Sequence, residues 1–240
     1  MTSDAELFLA IASKAPPTET ALHHTSRALL LAALALGLPS LVMAQSGDID
    51  KINGSVQVTA GQSAGAVSTV NGSVHINAGA HARNASTVNG SIQLDEHATA
   101  DALNTVNGSI TLGADSRVKG AATSVNGRMQ LAPGAEVGGK LSNVNGTITL
   151  DRAHVGGGIA TVSGNITVGA DSRVEGGILV NKLTGWFHWN TTPPLIIIGP
   201  HAVVQGTLEF RRAVVLKVSD SAQIGPVQGA TVVKFSGATP

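Results

Sequence analysis

An Asn-Gly pair returns along this chain at a nearly fixed interval: Asn53-Gly54, Asn71-Gly72, Asn89-Gly90, Asn107-Gly108, Asn126-Gly127 and Asn145-Gly146, with Ser163-Gly164 in the seventh place. The steps between first residues are 18, 18, 18, 19, 19 and 18. One Asn-Gly alone marks a hairpin turn. A period of this size over seven copies marks a repeat architecture, in which each unit buries its apolar face only against its neighbours.

Aligned on the Asn, the copies resolve into columns. Ile52, Val70, Val88, Val106, Val125, Val144 and Val162 stand just before it. Three residues after it come Val56, Val74, Ile92, Ile110, Met129, Ile148 and Ile166, and five after it Val58, Ile76, Leu94, Leu112, Leu131, Leu150 and Val168. Polar residues separate these positions, the alternation of a strand with one buried face. A further column, eleven after the Asn, runs Ala64, Ala82, Ala100, Val118, Val137 and Val174, with Val155 one residue early. The fold expected is all-β: a single-stranded β-solenoid, or β-helix, of about 18-residue coils, preceded by an N-terminal signal segment. Coils ~4.8 Å apart make the seven clear copies on the order of 30 Å long. The change from Ala to Val predicts a narrower stack near its start.

The Asn column invites a structural role. Asn tolerates a left-handed corner, Gly needs no side-chain room there, and stacked amides can bond from coil to coil. A ladder of Asn53, Asn71, Asn89, Asn107, Asn126 and Asn145 is the expectation.

Composition narrows the function. Aromatics make up 2% of the chain, there is no Cys or Tyr, and β-branched and other aliphatic residues carry the 42% hydrophobic content, so the core is aliphatic. Fifteen basic and fifteen acidic residues, with no basic run, lack the footprint of a nucleic-acid binder. Disulfides and zinc thiolate sites are excluded.

Four segments follow. Residues 1–44 read as a signal peptide with an overlong start: Arg27 precedes the apolar run "ALLLAALALGLPSLVMAQ", and Val42 and Ala44 are placed for cleavage before Gln45. The alternative is an uncleaved anchor. Residues 45–182 are the regular solenoid. Residues 183–194, "LTGWFHWNTTPP", are an aromatic insert, and 195–240 hold irregular C-terminal coils and a cap. Trp186, Phe187, His188 and Trp189 form either an interaction patch for a glycan, partner or lipid surface, or a lid over the solenoid.

The His and carboxylate residues are the candidates for chemistry. His75, His81, His97, His154, His188 and His201 take different places in their repeats, without metal-ligand spacing. Asp95, Glu96 and Asp101 lie close in sequence, but no neighbouring coil offers matching acids or a basic partner for paired catalysis. The twice-used "GADSRV", at 113–118 and 169–174, supplies turn-forming Asp and Ser. Several Asn-x-Ser/Thr triplets match a glycan acceptor pattern as by-products of the corner. No catalytic residue, metal ligand or cofactor is expected.

The units "VNGSITLGADSRVKG" (106–120) and "VSGNITVGADSRVEGGI" (162–178) resemble bactofilin repeats, from bacterial polymer-forming β-helical proteins that assemble end to end without nucleotide. "STVNGSVHI" and "NTVNGSITL" are similar to the β-strand-repeat putative adhesins of bacterial envelopes. The likeness covers roughly residues 52–180. With the leader, it implies an exported envelope or secreted protein, structural or adhesive and not an enzyme. Its expected partners are another copy of itself, an envelope polymer or a surface glycan, and it meets a membrane only through an uncleaved signal. The competing readings are a hexapeptide-type acyltransferase, suggested by "GADSRV", and a polysaccharide-active β-helix enzyme.

Overall fold

The columns three and five residues after each Asn become three-residue strands whose ends point inward: Val56–Val58, Val74–Ile76, Ile92–Leu94, Ile110–Leu112, Met129–Leu131, Ile148–Leu150 and Ile166–Val168. Each pairs in parallel with the strand one coil on, residue for equivalent residue, as in Val56↔Val74 and Ile110↔Met129. The computed structural model describes residues 47–182 and 192–240. Among the described residues this short-strand sheet has ten strands in sequential order, ending with Leu195–Ile198, Val215–Ser219 and Val232–Phe235. The expected signal segment, and the stretch from Trp186 to Trp189, lie outside the described residues.

The remainder of each coil builds a second parallel sheet against the first. Its early members are nine-residue strands, Ser63–Asn71, His81–Asn89 and Thr99–Asn107. From the next coil on, the strand is broken in two: Arg117–Val118 with Ala122–Asn126, then Glu136–Val137 with Leu141–Asn145. The register explains the break. Ala100 pairs with Val118 and Leu103 with Ala122, so three steps in one coil face four in the next. That one extra residue is the source of the first 19-residue step. Val137 to Leu141 repeats it. In the following coil Val155 to Ile159 is again four steps, but the turn before it is one residue shorter, which restores 18 and puts Val155 early in its column.

Between the sheets lies a stack of aliphatic layers. Val67, Ala85, Leu103, Ala122, Leu141 and Ile159 are buried from one side, and the inward ends of the short strands from the other. Burying each Val, Leu or Ile contributes about 1.5–3 kcal/mol. Ala64, Ala82 and Ala100 occupy their column where the long strand is unbroken, while Val118, Val137, Val155 and Val174 occupy it where that strand is broken in two.

After Val180 the chain leaves this pattern and returns in register. Ile166 pairs with Ile196, 30 positions on instead of 18 or 19, and Val174↔Val204 and Ile178↔Leu208 continue the other sheet. Residues 195–240 are therefore further coils of the same stack. No helix among the described residues is long and apolar enough to cross a membrane.

Two sequence expectations need correction. The column just before the Asn does not enter the core: Val70, Val88 and Val106 are 41%, 41% and 39% exposed, and Ile52 73%. The buried positions are two and four residues before the Asn, so strand alternation turns the intervening Val outward. The Asn residues are not left-handed either. The left-handed corner sits eight residues later, at Gly61, Gly79, His97, Asp115, Gly134 and Asp171, and seven later at Arg152.

Candidate interaction surfaces

The Asn-Gly corner is held by three interactions between coils. The amide of Asn71 donates to the side-chain oxygen of Asn53 at 3.1 Å, and the pattern continues from Asn89 to Asn71, Asn107 to Asn89, Asn126 to Asn107 and Asn145 to Asn126 at 3.0–3.1 Å. The Gly N–H donates to the Asn carbonyl of the next coil, as from Gly90 to Asn107 at 3.0 Å. The third interaction was missed in the sequence. Thr69, Thr87, Thr105 and Ser124 are buried and donate their hydroxyls to the Gly carbonyls of the preceding coil, Gly54, Gly72, Gly90 and Gly108, at 2.8–3.2 Å. Asn143 does the same with its amide to Gly127 at 2.7 Å. The signal was legible: that column holds a side-chain donor in every copy.

At the left-handed corner, His97 and Asp115 stand one coil apart, with φ of 57° and 54°. With Glu96 they place three ligand-type atoms within 4.8 Å of one another, all exposed. Sequence spacing alone shows no such cluster, because an 18-residue step is needed to stack position 97 against 115. Ser116 is buried and its hydroxyl donates to the Gly113 carbonyl at 2.8 Å, which fits the turn-forming reading of "GADSRV".

The outer face of the long-strand sheet is a lattice of opposite charges. Arg117 meets Glu136 at 2.7 Å, Lys119 meets Asp101 at 2.8 Å, and His154 lies 3.3 Å from Glu175, which Arg173 also approaches. His81 and His154 share one column and His97 and His201 another, while His75 stands apart on the short-strand sheet. The acids have basic partners after all: Asp101 has Lys119, and Asp95 has His75 at 2.9 Å. Asp101 is held below the usual carboxylate range chiefly by the Lys119 hydrogen bond. For Asp95, burial pushes the other way and is outweighed by hydrogen bonds from His75 and Gln93, so it too is lowered.

The outer face of the short-strand sheet differs. Its central column, set by the register, is Gln57, His75, Gln93, Thr111, Gln130, Thr149, Thr167, Ile197, Lys217 and Val233. The flanking column two residues earlier carries Ser55, Ser73, Ser91, Ser109, Arg128, Thr147, Asn165, Leu195 and Val215. Neither column contains a carboxylate. Arg128, Gln130, Thr147, Thr149, Asn165, Thr167 and Leu195 line a shallow trough of about 380 Å³ there.

Among the described residues, the strands Val56–Val58 and Val232–Phe235 at the two ends of the stack each pair on one side only. No family model, curated protein or solved structure matches the chain.

Proposed function

We propose that the chain is an exported, non-catalytic structural or adhesive β-solenoid of the bacterial envelope, similar in kind to the bactofilins, that self-associates end to end. The observation that carries this reading is the pair of strand edges that have no neighbour among the described residues. Each end presents a parallel strand edge, Val56–Val58 at one and Val232–Phe235 at the other, with backbone donors and acceptors turned outward. Such an edge is a template for another strand unless it is covered. Because the two ends are different surfaces, one copy's end meets the other end of the next, a head-to-tail contact that propagates without closing. The interior of the stack, filled by aliphatic layers and corner hydrogen bonds, supports a role in holding shape.

The test is light scattering and negative-stain microscopy on residues 45–240 across a concentration series. Filaments or long oligomers that grow with concentration are expected. A monomer at every concentration would remove end-to-end assembly from the reading.

A further inference from the structure

Hydrogen-bonding capacity is unevenly used around the coil. At the Asn corner and across the long-strand sheet, polar side chains are bonded to one another. At the start of the short-strand sheet the same holds: Gln57 bonds Asn77, and both His75 and Gln93 bond Asp95. The trough four coils further on is different. The side chains of Gln130, Thr147, Thr149 and Thr167 meet no partner among the described residues, and Asn165 uses its oxygen to accept the Leu195 N–H while its amide nitrogen stays free.

Arg128 stands at the edge of this line. Among the described arginines Arg83, Arg117, Arg152, Arg173 and Arg211 meet carboxylates, and Arg212 bonds the Val162 carbonyl. Arg128 alone has no side-chain partner, and no carboxylate lines the trough beside it. A guanidinium presents a planar fork suited to a carboxylate.

We propose that this trough binds an extended anionic polysaccharide of the uronate type, with a sugar carboxylate on Arg128 and ring hydroxyls on Thr147, Thr149, Asn165 and Thr167. Three polar rungs at ~4.8 Å spacing give about 10 Å of evenly spaced donors and acceptors, with Leu195 on the fourth rung. That repeat is commensurate with successive sugar rings, and a polymer sums contacts that are each weak at an exposed surface. The zero net charge and the absence of a basic run disfavour nucleic acid. With Leu195 as its single apolar wall, the trough lacks the anchoring pockets a peptide uses.

The site is separate from the strand edges, so its test is independent of assembly. Full-length protein, held below the concentration at which it associates, is titrated with a galacturonate hexamer, maltohexaose and hexaglutamate. The uronate is expected to bind at least tenfold more tightly than either of the others. R128A should weaken it at least fivefold, R128K should fall between, and T149V/T167V, which keeps the strand shape, should also weaken it. R173A, on the opposite sheet, should leave it unchanged. No uronate binding, equal binding of maltohexaose, preference for hexaglutamate, or an R173A effect equal to that of R128A would each overturn the proposal.

Discussion

A Cβ built on Gly108 would lie 1.9 Å from the carbonyl oxygen of Gly90, and the same close approach recurs at Gly90 and Gly127. The obstacle is backbone of the adjoining coil, which no rotamer change relieves. Gly is required here by inter-coil distance, since none of these three has a left-handed φ. Gly108→Ala should therefore cost roughly 3 kcal/mol or more, measured by denaturant unfolding, because two coils must part to admit one methyl group. The Asn beside it is a milder case. Asn107→Ala removes one bond to Asn89 and one from Asn126, but both orphaned groups are exposed and water replaces the partner. A loss of about 1 kcal/mol is expected, with the fold intact by circular dichroism. Equal losses at the two positions would contradict this division of labour between amide ladder and close packing.

Strands and turns explain why so much of the architecture was readable and some was not. The short strands were plain in the sequence because Val74 and Ile76, and their counterparts in each copy, repeat with period two inside a period of 18. The Asn corner was also evident from its repetition, and the close approach at Gly90, Gly108 and Gly127 agrees with the need for a residue without a side chain, although the left-handed geometry expected of the Asn is not there. What escaped were properties that arise between coils. The salt bridge from Lys119 to Asp101, the stacking of Asp115 on His97 and the trough beside Arg128 depend on which residues a turn of 18 or 19 brings side by side. The outward turn of Val106 was missed because Thr105, the buried neighbour, is polar and its role is fixed only by the Gly90 carbonyl of the coil below. Ion pairs across coils also carry a pH dependence. The Asp101 carboxyl is lowered by Lys119, so the unfolded chain binds the proton more readily than the folded one. The stability it contributes is present above the unfolded value, near 3.8, and is lost as pH falls through the lower folded value. Between about pH 6 and about pH 3, the fall in Tm should be smaller for Lys119→Ala than for the parent chain. An unchanged fall would mean that this pair contributes nothing to the acid sensitivity.

At the scale of the whole stack, the same regularity that lets coils pair within one chain leaves the first and last of the described short strands paired on one side only. The direction of each edge group follows from the hydrogen bonds inside. Val56 N–H donates to the Ser73 carbonyl at 2.9 Å, and the Val58 carbonyl accepts from Asn77 N–H at 3.1 Å. Val56 and Val58 thus face the next coil, and strand alternation turns the N–H and carbonyl of Gln57 to the open edge. Gln57→Pro removes that outward donor and spares the inward pairing, and proline is accepted on an edge strand whose N–H faces away from the sheet. If copies join by adding strand to strand, Gln57→Pro should abolish concentration-dependent growth in light scattering while circular dichroism stays that of the parent. Gln57→Ala, which keeps the N–H and removes only the side chain, should still assemble. Growth that survives Gln57→Pro would mean that copies meet through another surface. Growth lost equally in Gln57→Ala would assign the contact to the side chain instead of the strand edge.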